Sequence, residues 1–289
     1  MTHLLAQLVL AASTAVFPGV YPANQDVIGS PQTHQVLPDE SLIEIARAYD
    51  LGYNAIVEAN PDLDPFVPGT GAAVTVPTSW ILPKAASPGT VVLNLSEMRL
   101  YYFAHQRRDG GDWVMTFPIG IGSEGAETPL GKFEVVAREK NPVWRVPASI
   151  QKEDPTLPKE VPAGPENPLG THALRLSGPF ILIHGTNKPF GVGRRASHGC
   201  LRLYPEDIPW LFEAVRVGTE VIIVREAVKV GVNDGRVYVE VHADEEAPAD
   251  YGALARRLLA DRGLLNRVSI QKLDAALQRR NGVPVEVTR

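Results

Sequence analysis

Residues 181–203 read ILIHGTNKPFGVGRRASHGCLRL. A short apolar run at 180–184 is too brief for a helix and reads as a buried strand that ends on His184. A glycine- and arginine-rich stretch follows (Gly191-Val192-Gly193-Arg194-Arg195). The chain then reaches Ser197-His198-Gly199-Cys200-Leu201-Arg202, which holds its sole cysteine.

Working outward from this stretch, strands are expected at 91–95, 98–104, 113–119, 131–137, 173–176 and 219–224, with one helix at 209–215. Ile208, Leu211, Phe212 and Val215 share one face of that helix. The fold class is therefore mainly β, a sandwich or barrel-like domain over 89–225. Residues 141–168 hold seven prolines in 28 residues. That density excludes a helix or a central strand there and points to a lid or binding wall.

In front, 33–77 reads strand, helix, helix, strand. Asp39 or Ser41 can cap the first helix, and Leu42, Ile45, Ala46 and Tyr49 form its apolar stripe. The second helix, at 54–59, stops at Asn60-Pro61. Proline-punctuated residues 77–88 read as a linker. Behind the main domain, 226–289 reads as a hairpin turning at Asp234-Gly235, two helices (251–260, and 270–280 capped by Ser269) and a last strand at 283–287. Residues 1–23 read as a signal peptide and leader, with the apolar stretch at 4–16 too short to span a bilayer. No transmembrane span is expected in the mature chain.

Composition excludes several classes. With 44% hydrophobic and 21% charged residues the 289-residue chain builds a packed core. Its 28 Lys and Arg against 33 Asp and Glu give a net charge of −5, so no nucleic-acid partner is expected. A single cysteine allows neither an intramolecular disulfide nor an all-cysteine zinc cluster. The run Gly120-Ile121-Gly122-Ser123-Glu124-Gly125 matches GxGxxG, but a dinucleotide site needs a helix at the third glycine. Here Thr128-Pro129-Leu130-Gly131 and a strand follow, so the run reads as a glycine-rich turn and no cofactor is expected.

On chemistry alone Cys200 admits three readings. It is a nucleophile activated by nearby cations and histidine, an inert buried thiol, or a zinc ligand together with His184 and His198. Histidine precedes cysteine here, the reverse of the papain order. A histidine followed by [ST]-H-G-C-x-R stands in this chain as His184 and Ser197 to Arg202. Together with VVLNLSEMRLYYF, PIGIG…TPLG, VPAGPENPLG and IHGTN…FGVG, these motifs resemble the L,D-transpeptidase family of the YkuD type. Within it they are similar to the subgroup with a LysM module in front and a hairpin-helix tail behind. The VxPDESLxxIA, ANPxLD and PGxxxxVxVP segments of 33–77 carry the LysM part of the resemblance.

The resemblance implies a periplasmic enzyme of peptidoglycan biosynthesis, cell wall organisation and cell shape, with no metal. Cys200 would attack the carbonyl of the diaminoacid at stem position three, release the terminal D-alanine, and pass the acyl group to an amine. That amine would be the C-terminal lysine of an outer-membrane lipoprotein or another stem's diaminoacid. Water as acceptor would make the enzyme an L,D-carboxypeptidase. His184 would be the base, oriented by the carbonyl of Gly185, with His198 as its rival for that role. His198, Gly199 and Cys200 would supply backbone N–H groups to an oxyanion hole, Ser197 would hold the turn, and Arg202 would receive a substrate carboxylate. The front module would bind peptidoglycan glycan. A free thiol is only about 3% ionised at pH 7, so pairing with His184 is expected to lower its pKa by about two units, worth about 2.7 kcal/mol.

Overall fold

A computed structural model of the chain describes residues 19–104, 111–178, 181–247 and 250–289. The expected signal-peptide stretch at 4–16 lies outside the described residues. Nine strands form one mixed sheet. Their spatial order is Gly19–Pro22, Trp113–Pro118, Arg99–Ala104, Val91–Asn94, Glu220–Val224, Gly131–Lys140, His172–Leu176, Leu182–His184 and Leu201–Arg202. Neighbours are antiparallel except for two parallel pairs, Val91–Asn94 with Glu220–Val224 and Leu182–His184 with Leu201–Arg202.

The front unit pairs Gln32–Gln35 with Ala73–Val76 around helices α1 (Leu42–Ala48) and α2 (Tyr53–Ala59). Ser41, rather than Asp39, caps α1. Its Oγ accepts from Glu44 N at 3.3 Å while its N–H donates to Glu44 Oε2 at 2.9 Å, a reciprocal box that satisfies two otherwise orphaned groups. Leu42, Ile45 and Ala46 are buried, and Tyr49 closes the helix. Asn60 ends α2 and ties it to the second strand, donating to Ile56 O and Thr75 O and accepting from Thr75 N, each at 2.8 Å.

This unit does not hang on a linker. Leu42, Ile45, Leu51, Ile56, Val74 and Val76 share one apolar cluster with Val92, Tyr101, Phe103 and Val114 of the large sheet. Within 77–88, Ser79–Ile81 is a strand paired with Val27–Gly29. Pro77 and Pro83 flank it without interrupting its ladder. Trp80 is buried there, and the Arg99 guanidinium stands 4.1 Å from its ring centroid. A unit of about 45 residues buries little core of its own, so docking supplies what it lacks.

The proline-rich stretch 141–168 departs from expectation in one respect. It contains a two-strand ladder, Trp144–Arg145 with Glu160–Val161, and the short helix α3 (Ala148–Glu153). Pro147 is the N-cap of α3 and no proline lies inside it, so the prolines bound the helix and cap its length. Asn167 organises this stretch. It is fully buried, donates to the carbonyls of Pro142, Val161 and Pro162, and accepts from Leu169 N.

Helix α4 (Ile208–Ala214) covers the sheet face opposite the front unit, where Ile208, Leu211, Phe212 and Val215 meet Val91, Leu93, Ile183, Leu201 and Val221. The continuous apolar run Val91-Val92-Leu93 is explained by this arrangement. Val91 and Leu93 face α4 while Val92 faces the front unit, so the strand is buried on both sides. The tail has its own core, built from the hairpin Val228–Asn233 and Arg236–Val241, α5 (Tyr251–Asp261) and α6 (Ile270–Arg279). Asp234 and Gly235 both adopt positive φ (46° and 74°), the pair a two-residue hairpin turn requires. A last strand, Val285–Glu286, joins the hairpin.

Candidate active site

Strand register assembles the site. Leu182–His184 and Leu201–Arg202 run parallel, with Ile183 opposite Leu201 and His184 opposite Arg202. Ile183, Leu201 and Leu203 enter the α4-side core. Side chains alternate along a strand, so His184, Arg202 and Cys200 belong to the other face. On the neighbouring strand Ala173 is opposite His184, and Arg175, two residues on, shares that face.

His184 is 3% exposed. Its Nδ1 lies 2.6 Å from Gly185 O. A carbonyl can only accept, so Nδ1 carries the proton and Nε2 holds a lone pair. Burial drives the pKa down to about 4, opposed by the Gly185 carbonyl and reinforced by Arg202. The imidazole is therefore neutral at pH 7, with its acceptor nitrogen available.

Cys200 differs from expectation. Burial pushes its thiol up, not down. A backbone hydrogen bond from Leu182 and the guanidinium groups of Arg202 and Arg175 offset only part of that effect. Desolvation disfavours the charged form of both partners, so the resting pair is thiol and neutral imidazole. The expected drop of two units does not occur in the resting chain.

The GxGxxG run wraps the cysteine loop. Gly120 and Arg202 exchange both backbone hydrogen bonds, at 2.8 and 2.9 Å. Ser123 donates from N and Oγ to Ser197 O. Thr128 Oγ1 accepts from Gly122 N at 3.0 Å and donates to Gly199 O at 3.1 Å. Ser197 Oγ donates to Cys200 O at 2.5 Å and closes the turn. Gly199 sits at φ +91°, a conformation a side chain would oppose, which bends the chain just before the thiol. Thr128 escaped the sequence reading, because its partners are 6 and 71 residues away.

The other singled-out residues separate. His198 is exposed and its Nε2 meets Glu153 Oε2 of α3 at 3.1 Å, linking the proline-rich stretch to the cysteine loop. Asn187 Nδ2 donates to Glu166 O in the same stretch. Arg202 is half-buried, and its Nε has no hydrogen-bond partner among the described residues. Arg194 and Arg195 are half-buried. Arg194 stacks on Tyr53 at 3.7 Å from the ring centroid, and Arg195 pairs with Glu246 of the tail.

His184, His198 and Cys200 do not form a metal cluster. Among the described residues the one group with ligand spacing is Glu97, Glu240 and His242. Lys229 Nζ already stands there, 2.8 Å from Glu97 and 2.9 Å from Glu240, so the chain supplies its own cation. Burial works against the charge on His242, but hydrogen bonds to Glu240 and Glu58 lift its pKa to about 10.

A thiol and a neutral imidazole on one strand-end face, beside a sharp glycine turn, are the equipment for acyl transfer through a thioester. Residues 88–223 match the YkuD family, an L,D-transpeptidase catalytic domain. The chain is 36% identical over 300 residues to "Probable L,D-transpeptidase ErfK/SrfK" of Salmonella typhimurium, covering 97% of this chain and 94% of that protein. It is 36% identical over 297 residues to "Probable L,D-transpeptidase YcfS" of Escherichia coli, covering 98% and 91%. "Probable L,D-transpeptidase YbiS" of Escherichia coli is 44% identical over 203 residues, 68% of this chain and 64% of that protein. The chain belongs to the L,D-transpeptidase family.

Proposed function

We propose that Cys200 is the nucleophile and His184 the general base of an acyl transfer on peptidoglycan stem peptides. The observation that carries this reading is the His184–Gly185 contact, which leaves Nε2 as an acceptor on the face that Cys200 shares. Nε2 takes the thiol proton as Sγ attacks the carbonyl of the diaminoacid at stem position three. Backbone N–H groups of His198, Gly199 and Cys200 receive the oxyanion, at about 3–4 kcal/mol for one such donor. The imidazolium then protonates the departing D-alanine amine, the C–N bond breaks and a thioester remains. An incoming amine attacks the thioester and yields its proton to His184, which returns it to the departing thiolate. Arg202, with an unpartnered donor in a half-buried position, receives a substrate carboxylate. The acceptor is the C-terminal lysine of an outer-membrane lipoprotein or another stem's diaminoacid.

The front unit, 33–77, is a LysM-like glycan-binding module in this reading. Leu42 N donates to Pro65 O at 3.0 Å, which brings two of its loops together. On those loops Leu37, Phe66 and Val67 are 59%, 62% and 76% exposed, an apolar surface suited to sugar faces. The enzyme works in the periplasm, exported by a leader shorter than the expected 1–23, because Gly19–Pro22 pairs with Trp113–Thr116 in the large sheet. Incubation with a disaccharide-tetrapeptide and an amine acceptor, followed by mass analysis, tests the reading. Loss of D-alanine with a new amide link supports it. Loss of D-alanine with gain of water alone makes the protein an L,D-carboxypeptidase, and an unchanged substrate overturns both.

A further inference from the structure

Residues 50–54, the end of the turn between α1 and α2 together with the first two residues of α2, grip the catalytic segment on both sides of the cysteine. Upstream of Cys200, Tyr53 N donates to Val192 O at 3.2 Å and Asn54 N to Gly193 O at 3.1 Å. These are first-turn N–H groups of α2, which have no partner within their own helix. The loop of the main domain therefore caps a helix of the front unit. Contact is so close that a Cβ on Gly193, itself at φ +74°, would run into the backbone of Gly52 and Tyr53. Arg194 then lies over the Tyr53 ring. Downstream of Cys200, Tyr204 Oη donates to Leu51 O at 3.0 Å, and Arg47 forms a two-pronged pair with Glu206 at 2.7 and 2.9 Å.

The gripped loop leads directly to the thiol. Gly193 N donates to Ile119 O, and Arg194 O accepts from Ile121 N. The strand Arg195–Ser197 then pairs with Ile121–Gly122 and delivers Ser197, His198 and Gly199 to Cys200. A displacement at Val192–Arg194 would be passed along this short path to the backbone N–H groups around the cysteine. Misplacement of about 1 Å at a reacting centre can cost about 10²-fold in rate.

We infer that the 50–54 segment is a positioning element for acyl transfer, with Tyr53 its principal contact to the cysteine loop. The front unit then shapes the site as well as anchoring the protein. This inference rests on Cys200 being the nucleophile proposed above.

Tyr53→Pro is the discriminating variant. Proline suits the first position of a helix, and Gly52 already has the extended backbone (φ −81°, ψ 159°) that proline requires before it. The change replaces the N–H given to Val192 O with a ring CH2 that presses on that carbonyl, and it removes the ring under Arg194, so it displaces the loop at its upstream grip. Acylation of Cys200 by a carbapenem, followed by intact mass, should slow about 10- to 100-fold. Alkylation of the same thiol by iodoacetamide, which needs no oxyanion donors, should stay within about twofold of wild type. Tyr53→Ala, which removes the ring alone, should show a smaller loss of the same kind, and Tyr53→Phe should restore the wild-type rate. Should Tyr53→Pro fail to fold, the Ala and Phe pair carries the test. Equal carbapenem rates in wild type and the folded variants would overturn the inference. A parallel fall in both reactions would overturn it too, by showing a general structural role. A wild type that never acquires carbapenem mass at Cys200 would overturn the nucleophile reading and this inference with it.

Discussion

His184 stands directly opposite Arg202 across a parallel strand pair, which puts Cys200 two residues back on the same face. Cys200→Ala should abolish D-alanine release. The fold should survive, because the thiol is small and half-buried and its loop is held by backbone partners and Ser197. Product masses and a thermal melt within about 1 kcal/mol of wild type check this. A variant with full turnover would refute the mechanism.

Burial of His184 sets the pH profile. With its pKa held at about 4, the base form persists well below the range of an ordinary histidine. The acid limb of the acylation rate should therefore fall near pH 4, not near 6.5. His184→Ala should lose about 10³-fold or more of that rate, whereas His198→Ala, exposed beside Glu153, should lose under about tenfold. Stopped-flow acylation across pH 3.5–8 reads both. An acid limb near 6.5 would count against His184 as the buried base, and the reverse ranking would transfer the role to His198.

Asp50 and Asp207 face each other where the front unit meets the start of α4. Burial raises both carboxyls; Arg99 opposes this, and for Asp207 the neighbouring Asp50 adds to it. Asp50 reaches about 7, above its ordinary 3.8. A raised folded-state pKa means that folding favours the protonated form. The contribution is complete below about pH 4 and is lost as pH rises through 7. Urea midpoints should drop between pH 5 and 8, and Asp207→Asn, which supplies a permanent donor to Asp50, should flatten that slope. A slope unchanged in the variant would exclude the pair as its source.

Lys229 binds three parts of the chain at once, through Glu97 of the main domain, Glu240 of the tail and the carbonyl of Ile81. Lys229→Met would leave two buried carboxylates without their cation. Removing one partner of a buried ionic group typically costs about 3–5 kcal/mol, so a large fall in Tm is expected. A change below about 1 kcal/mol would show that His242 alone balances the cluster.

Much of this chain was legible locally. Ser41 and Ser269 cap helices because a hydroxyl can reach N–H groups three residues away. Asp234-Gly235 turns a hairpin because both residues tolerate positive φ. The alternating and continuous apolar runs marked every strand of the large sheet save its edge members Gly19–Pro22 and Leu201–Arg202. Leu201–Arg202 has two residues, too few for a period to register, and Gly19–Pro22 falls within the stretch that reads as a leader.

The sequence by itself determined most of the elements and the β-rich class, and it marked the candidate residues of the site, because caps, turns and periodicity act within a few neighbours. Tertiary structure alone decided what those elements meet. The parallel register that brings His184 to the face of Cys200 joins strands separated by the whole glycine-rich loop. The seating of the front unit on the large sheet depends on Val92, Tyr101, Phe103 and Val114, which local patterning marks only as strand residues. The direction of the Cys200 shift was settled the same way. Nearby cations are visible in sequence, but desolvation is set by everything packed around the thiol, and here it outweighs them.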